Sequence, residues 1–201
     1  MAESSGQAVA RRGGGRKRAD AERNIALIRA VAAECLARDR NASMSDIAKA
    51  AGLGRVTLYA HFASREDLLR AVLAEAIAEG TEVITAALPE DGPPAEAFAR
   101  VIRSCWPFLS RYGSLHAAAR RALPPEEVRG FHDEPLAQVE RLIDRGRAEG
   151  AFRGDLPLEW LVTSVYTLLH AASDDVADGR LAGEDVGEIL VKTLLGLLRA
   201  E

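Results

Sequence analysis

The sequence has few cysteines and lacks any long apolar run. Its two cysteines, Cys35 and Cys105, are too few and too far apart to indicate a disulfide framework or a zinc site. We expect both to be buried, reduced thiols. No stretch approaches the roughly 18 uninterrupted apolar residues of a membrane span, and the N-terminus lacks the apolar region of a signal peptide. The expected protein is cytoplasmic and has no membrane partner.

Aromatic residues are also scarce, at 5% of the chain, and runs of β-branched residues are rare. Alanine and leucine are abundant instead, which favours helices over sheets. Apolar residues make up 48% and charged residues 28% of the 201 positions, so the chain can bury a core and keep a charged surface. This length fits one domain, or a small domain attached to a larger one.

Charge is distributed unevenly along the chain. Residues 1–70 carry 13 Lys and Arg against 8 Asp and Glu, whereas residues 71–201 carry 13 against 22. A basic front and an acidic rear indicate that only the front meets a polyanion. The densest cluster is "RRGGGRKR", residues 11–18, and we predict a disordered basic tail over residues 1–19. Such a tail is either solvated without a partner, or follows DNA phosphates and a minor groove.

The front of the chain carries the signals of short helices separated by a glycine turn. Apolar residues recur at helical spacing between residues 20 and 39. Ser43 and Asp46 nearly form a capping box for a second helix, which Gly52 would end at its C′ position. Gly54 then opens a third helix, and a Ser–Asp pair at 64 and 67 caps a fourth. Two short helices joined by such a turn indicate a helix-turn-helix.

The third helix has a narrow inner face and a free outer strip. Leu58 and Phe62, four residues apart, would anchor the helix to a small core. Arg55, Val56 and Tyr59, with Ala60, remain on the outside as a strip that fits a DNA major groove. Arginine can donate two hydrogen bonds to a guanine edge, and valine can contact a thymine methyl group. The candidate phosphate contacts are Thr57, Tyr59, His61 and Arg65.

The segment "DIAKAAGLGRVTLYAHFASREDLL", residues 46–69, resembles the TetR family of bacterial transcriptional repressors. The resemblance covers about residues 20–80 and implies that bases are contacted by Arg55 and Val56, with Ser45 a weaker candidate. It places phosphate contacts at Thr57, Tyr59, His61 and Arg65. Two positions depart from the family pattern: Gly54 replaces the common serine cap, which weakens the cap by a few tenths of a kcal/mol, and Ala60 is small.

The remainder of the chain is predicted to be an all-α bundle, giving about nine helices in total. The Pro- and Gly-rich segment "LPEDGPPAE" separates a DNA-binding domain at 20–88 from a ligand-binding and dimerisation domain at 94–201. Further helices are expected at 94–112, 114–122, 125–149, 157–177 and 183–199. Pro135 would either kink the third of these or begin its second part.

The last two of these helices carry wide apolar faces. In the resembled family the corresponding helices pair with their copies, which implies a homodimer. Two recognition helices would then meet a palindromic double-stranded DNA operator at half-sites about 34 Å apart.

The resemblance also implies a small-molecule effector bound among the later helices. Our candidate ligand-binding residues are Trp106, Tyr112, Tyr166 and His170, although for each of them taken singly a packed core aromatic or a satisfied histidine is the favoured interpretation. Tyr166 and His170 share a helix face because they are four residues apart. The chain does not identify the ligand. The function implied is a ligand-responsive repressor that a small molecule releases from DNA.

Two other functional classes stay open at this point. An enzyme is disfavoured, because the chain has no Glu-x-x-His motif and no phosphate-binding glycine loop. His170 and Asp174 lie one helical turn apart, yet such a pair more often sits on a helix surface than on a metal. We predict no catalytic residue, no cofactor and no metal site. The other alternative is an architectural DNA-binding protein that responds to no ligand.

Overall fold

The computed structural model describes residues 6–88, 92–182 and 185–200, with side chains described from Asp20 onwards. Within these ranges the protein is all-α, as predicted, and its only β-type pairing is an isolated bridge between Phe152 and Arg199. No helix in the described ranges is long and apolar enough to cross a membrane. Parts of the predicted interdomain segment and the predicted helix start at Gly183 lie outside the described residues.

Nine helices form the described part of the chain. They are α1 (Gly6–Arg38), α2 (Met44–Ala50), α3 (Arg55–His61), α4 (Arg65–Ala87), α5 (Pro94–Ala122), α6 (Pro125–Gly130), α7 (Asp133–Ala148), α8 (Leu158–Ala177) and α9 (Val186–Leu198).

Three helix boundaries differ from the sequence predictions. The backbone of α1 is already helical from Gly6, where the sequence predicted a disordered tail to residue 19. Helix α5 continues through Gly113, where we expected a break between two helices. The segment at 125–149 divides into α6 and α7, and Pro135 lies in the first turn of α7. Pro135 therefore takes the second of its two predicted roles, since proline is tolerated where no intrahelical N–H bond is needed.

Helices α1 to α4 form an N-terminal unit around one apolar cluster. Ile28 and Leu36 of α1 pack with Ile47 of α2, Leu58 of α3 and Leu69 of α4, and all five are at most 1% exposed. Helices α2 and α3 have seven residues each. Helices that short are marginal on their own in water, so their stability comes from this shared core.

Helix α5 is the central element of the C-terminal bundle and contacts α1, α4, α7, α8 and α9. Phe98 and Ile102 of α5 pack in one cluster with Ile143 of α7, Leu161 of α8 and Leu194 of α9. The same helix reaches the N-terminal unit through Leu115 and Ala118. Both parts of the chain therefore pack against α5, the bundle through its first half and the N-terminal unit through its second half.

Candidate DNA-binding surface and ligand cavity

The turn between α2 and α3 is closed by backbone hydrogen bonds. Gly52 has φ +66°, a left-handed conformation that glycine adopts without steric cost. The Gly52 N–H donates to the Lys49 carbonyl at 3.2 Å, and the Leu53 N–H donates to the Ala48 carbonyl at 2.9 Å. These two bonds form a Schellman motif, which ends α2 sharply and sets the direction of α3.

Side-chain caps fix the starts of α2 and α4. The Asp46 N–H donates to Ser43 Oγ at 3.2 Å, and the Ser43 N–H donates to Asp46 Oδ2 at 2.9 Å, which completes the predicted capping box. The Ser43 hydroxyl also donates to Asp46 Oδ2 at 2.5 Å, and this bond, followed by the one from the Ser43 N–H, lowers the pKa of the Asp46 carboxyl. The Asp67 N–H donates to Ser64 Oγ at 3.0 Å, so Ser64 caps α4 as predicted. Helix α3 begins at Gly54 without a side-chain cap.

One face of α3 is exposed, and its side chains have no polar partner in the ranges that the structure describes. Leu58 is 0% and Phe62 8% exposed, so these two anchor the helix as predicted. Val56 is 85% and Tyr59 43% exposed, and Arg55 beside them is also exposed. Among the described residues, nothing forms a hydrogen bond or an ion pair with the side chains of Arg55 or Tyr59. The surface therefore presents an unpaired guanidinium, a phenol hydroxyl and an apolar side chain within about one helical turn.

Three further candidate DNA contacts border this strip. Thr57 and His61 are half-buried on α3, on either side of Leu58, and Ser45 is half-buried in the first turn of α2. Their side chains also have no polar partner within the described residues. The structure thus brings Ser45 and the α3 candidates onto one helix-turn-helix unit, and their contacts with DNA stay a prediction.

Arg65 differs from the other candidates because its guanidinium already has partners. Its Nε donates to the Ala42 carbonyl at 3.2 Å, and its Nη2 donates to the Arg40 carbonyl at 3.0 Å. Both acceptors lie in the loop between α1 and α2. Arg65 therefore joins the start of α4 to the loop that precedes the helix-turn-helix, a role that its spacing in the sequence did not indicate.

A small apolar cavity of about 80 Å³ lies between α4, α5, α7 and α8. Its walls are mainly aliphatic and aromatic side chains, among them Ile84, Ile102, Phe108 and Val139. Cys105 also lines it, and burial raises the pKa of this thiol to about 12. The polar groups of the cavity come from Thr81, His132, Tyr166 and His170. An apolar space with a few convergent polar groups is the usual form of a small-molecule site.

The polar end of this cavity adjoins an open cleft of about 540 Å³ between α5, α6 and α8. Tyr166 and His170 line both spaces, while His116 and Arg120 of α5 line the cleft. His116 Nε2 lies 3.3 Å from the Tyr166 hydroxyl. Tyr166 and His170 thus form part of the wall between the cavity and the cleft.

Burial keeps the histidines of this wall in their neutral form. It lowers the pKa of His116 to about 3, aided by the nearby His132 and Arg120. The pKa of His170 is held well below its ordinary value by burial and then by His116, and the pKa of His132 is also lowered by burial. A buried imidazole is not hydrated, so its charged form is disfavoured relative to its neutral form. Nearby positive charges disfavour the charged form further.

The other two predicted ligand residues lie elsewhere. Trp106 is 7% exposed and packs in the bundle core, with Gly187 of α9 directly against its indole ring. Tyr112 lines a surface cleft between α1, α4 and α5, where its hydroxyl lies 3.3 Å from Glu79 Oε2. Neither residue lines the apolar cavity. Their assignment to a ligand site stays a prediction, although their positions do not support it.

Sequence reasoning did not select His116 or His132 for the site. The two histidines lie on different elements from His170, at distances of 54 and 38 positions along the chain. No periodicity within one helix links them, because their proximity comes from the packing of α5 and α7 against α8. The one sequence feature that points to this site is that three of the four histidines of the chain lie in the C-terminal bundle.

Comparison with known proteins agrees with the geometry of the N-terminal unit. Residues 28–72, which span the last third of α1, all of α2 and α3 and the start of α4, match the model of the bacterial regulatory proteins of the tetR family. The HTH-type transcriptional repressor LfrR of Mycolicibacterium smegmatis is 27% identical over 165 residues, which cover 81% of this chain and 84% of LfrR.

Solved structures resemble the whole fold. The fatty acid degradation regulator FadR from Bacillus halodurans superposes with a TM-score of 0.72 at 20% identity, covering 89% of this chain and 97% of FadR. FadR from Bacillus subtilis in complex with stearoyl-CoA gives a TM-score of 0.70 at 19% identity, covering 87% and 97% of the two chains. The helix-turn-helix of this chain therefore matches that of the tetR family of bacterial regulatory proteins over residues 28–72, and the nine-helix arrangement of the described ranges is the fold of these solved regulators.

Proposed function

We propose that this regulator is a ligand-responsive repressor, which binds a palindromic operator as a homodimer and leaves it when a small molecule binds. It acts on double-stranded DNA in the cytoplasm, with no membrane partner and no catalytic step of its own. The observation that carries the proposal is the exposed, unpartnered strip of Arg55, Val56 and Tyr59 on α3.

The strip suits base contacts in the major groove. Helix-turn-helix proteins use the N-terminal residues of the recognition helix to reach base edges, and Arg55 and Val56 are the first two residues of α3. A free guanidinium can donate to guanine O6 and N7, and the Val56 side chain can cover a thymine methyl group. Tyr59, Thr57 and His61 offer hydroxyl and ring N–H donors to phosphate oxygens, which would set the position of the helix on the duplex.

Dimerisation through α8 and α9 would supply the second recognition helix. Trp160 on α8 is 57% exposed and Ile189 on α9 is 46% exposed, and few large apolar side chains of the described residues are this open to solvent. Burying these residues against a second copy would remove apolar surface from water. A two-fold dimer would then present its recognition helices to half-sites about 34 Å apart, as a palindromic operator requires.

The apolar cavity is our candidate effector site. Its walls favour a molecule with an apolar body, and its polar end, at His132, Tyr166 and His170, favours one hydrogen-bonding group. The solved FadR relative holds stearoyl-CoA, which supports a bound effector in a related fold. An effector would act by binding more tightly to the dimer arrangement that does not fit the operator, and so shift the population away from DNA.

The direction of regulation is proposed from a relative. LfrR, the sequence relative described above, is a transcriptional repressor. A repressor occupies its operator until the effector arrives. This predicts tight operator binding by the purified protein alone and weaker binding after addition of the effector.

A footprint on the DNA that flanks the protein's own gene would test the proposal. We expect protection of a palindrome by the wild-type protein and by R141A, a control variant at an exposed arginine of α7. Protection should be lost in R55A and Y59A. Repeating the footprint with a panel of apolar metabolites should identify molecules that remove the protection. An absence of sequence-selective protection at moderate salt would refute the repressor, whereas protection that no metabolite alters would favour the architectural alternative.

A further inference from the structure

Three of the four histidines of the chain converge at one buried point. His116 comes from α5, His132 from the residue before α7, and His170 from α8. The three side chains belong to residues that are 5%, 6% and 7% exposed. One ring nitrogen from each lies within 4.8 Å of one ring nitrogen of the other two. We refer to these residues as the histidine cluster.

The hydrogen bonding of His132 leaves one ring nitrogen free and buried. His132 Nδ1 lies 2.9 Å from the Val128 carbonyl oxygen, which can only accept, so Nδ1 carries the hydrogen and donates it. In the neutral ring, Nε2 then has a lone pair. This Nε2 atom is buried and has no hydrogen-bond partner. Metal-binding histidines usually have this arrangement, because donating one N–H to a carbonyl orients the ring and makes the other nitrogen a better ligand.

The other two rings leave this lone pair without a protein partner. His116 and His170 stack with ring centroids 3.7 Å apart and an interplanar angle of 15°, while the His132 ring stands nearly perpendicular to both. Within the described residues, the cluster contains no N–H···N hydrogen bond between imidazoles, and His116 instead contacts the Tyr166 hydroxyl. A purely structural histidine trio would be expected to satisfy its buried nitrogens internally. The histidine cluster does not.

We propose that the histidine cluster binds one first-row divalent cation of the kind that prefers neutral imidazole, with Zn²⁺ as the best match. Nitrogen ligands suit Zn²⁺, Ni²⁺ and Cu²⁺, whereas Mg²⁺ and Ca²⁺ require oxygen ligands that the cluster does not supply. An ion lies in the plane of each imidazole that binds it, so His116 or His170 would rotate out of their present stack on binding. The three histidines would then leave a fourth position of a tetrahedral ion open. That position can be taken by water or by an effector atom from the adjoining cleft of about 540 Å³.

The surroundings of the cluster are compatible with added positive charge. Arg120, the guanidinium on α5 that lines the same cleft, is bonded to Asp174 Oδ2 at 3.3 Å. Arg129 lies over the Tyr166 ring, 4.7 Å from its centroid. Asp174 balances one of these two charges. The site deepens the proposed function, since a bound ion would lie in the wall of the effector cavity, but the binding of the ion itself does not depend on that function.

Zinc titration of the full-length, tag-free and chelator-stripped protein tests the site. We expect calorimetry at neutral pH to give one Zn²⁺ per chain. The variants H132F and H170F, which keep a ring of similar size in the core, should each lose affinity by more than about tenfold. The matched control is H61A, which removes the one histidine outside the cluster and should keep the wild-type affinity. Circular dichroism and thermal unfolding without metal would show which variants are folded.

Cobalt(II) and thermal unfolding give independent readouts. Co²⁺ bound to nitrogen ligands should give visible d–d bands without thiolate charge transfer, which excludes Cys105 as a ligand. Zn²⁺ should also raise the melting temperature of the wild-type protein, since an ion that binds only the folded state stabilises it. This measurement does not require any variant to fold.

Three outcomes would overturn the metal site: no saturable zinc binding by the wild type, equal binding by wild type and a folded H132F, or no zinc-dependent rise in melting temperature. Operator binding by metal-free protein, measured in parallel, separates the two proposals. If the metal-free protein binds the operator but the protein binds no zinc, the metal site alone is overturned. If the metal-free protein does not bind the operator and the zinc results are as expected, the repressor is overturned and the metal site is supported.

Discussion

Asp178, the residue that follows α8, forms an ion pair with Arg40 in the loop between α1 and α2. The pair joins the C-terminal bundle to the DNA-binding unit across 138 positions of the chain. Asp178 lies about two helical turns after His170 and about three after Tyr166 along the chain. The carbonyl of Arg40 also accepts a hydrogen bond from Arg65. The end of α8, which carries Tyr166 and His170, therefore contacts the loop between α1 and α2. Arg65 at the start of α4 holds the same loop.

The Arg40–Asp178 pair should transmit changes in the cavity to the DNA-binding unit. We expect R40Q, D178N and the double variant to show nearly the same reduction in the effect of an effector on operator affinity, because removing either partner already breaks the contact. Fluorescence anisotropy with labelled operator, with and without effector, measures this. The control is D175N, whose carboxylate pairs with Arg180 in the following turn. Additive losses in the double variant would contradict the coupling.

Replacement by alanine should reduce operator affinity at Arg55 and the free energy of unfolding at Arg65. R55A removes a side chain that has no hydrogen bond or ion pair in the described part of the chain, so we expect an unchanged melting temperature and a loss of about 1–3 kcal/mol in operator binding, with relaxed selectivity at one base pair. R65A leaves two loop carbonyls without their charged donor, so we expect a loss of about 1–3 kcal/mol in the free energy of unfolding. Urea denaturation and operator titration of both variants separate the two effects. Equal stability of R65A and wild type would contradict the bracing role of Arg65.

Dimerisation should depend on Ile189. I189K places a charge in the proposed contact between copies, so sedimentation at micromolar concentration should show monomers. Operator affinity should fall because a monomer has only one recognition helix. L27K is the matched control, because Leu27 on α1 is 44% exposed against 46% for Ile189 and lies outside the proposed contact. A wild-type protein that sediments only as a monomer, or an I189K variant that stays dimeric, would contradict this interface.

The two cysteines should differ in reactivity while the protein is folded. With its pKa raised to about 12, Cys105 has a thiolate fraction of only about one in ten thousand at pH 8, and it is buried in the cavity wall. Cys35 is half-buried, and its pKa is also raised by burial. Alkylation followed by mass spectrometry should therefore label Cys35 first and Cys105 only on unfolding. C35S should leave a single slow site, and rapid labelling of Cys105 in folded C35S would show that the cavity is open.

The parts of the fold that follow local rules were predictable from the sequence. The Ser43 and Ser64 caps, the left-handed Gly52 and the anchoring pair Leu58 and Phe62 each depend on residues within a few positions, and the structure has all of them. These features also define the exposed strip of α3. Its candidate DNA contacts therefore follow from local sequence alone, and they stay predictions until DNA binding is measured.

Features that depend on packing between distant segments were not predictable. The continuity of α5 through Gly113 depends on α8, which packs directly against that glycine. The partners of Arg65 lie in a loop more than twenty positions earlier. The histidine cluster requires three elements to converge. In each case the deciding contact joins residues with no periodic relation in the sequence.

The contact between Gly113 and Ser173 constrains how α8 can move. A Cβ atom at residue 113 would collide with Ser173 Oγ, and that hydroxyl donates to the Leu109 carbonyl at 2.9 Å. The two helices cross here with only the Ser173 side chain between their backbones, and we expect α8 to tilt about this close contact more easily than it slides. Tyr166 and Asp178 lie on opposite sides of the crossing. An effector that pushes the Tyr166 end outward would therefore swing the Asp178 end inward, and α8 would act as a lever with Gly113 as its fulcrum.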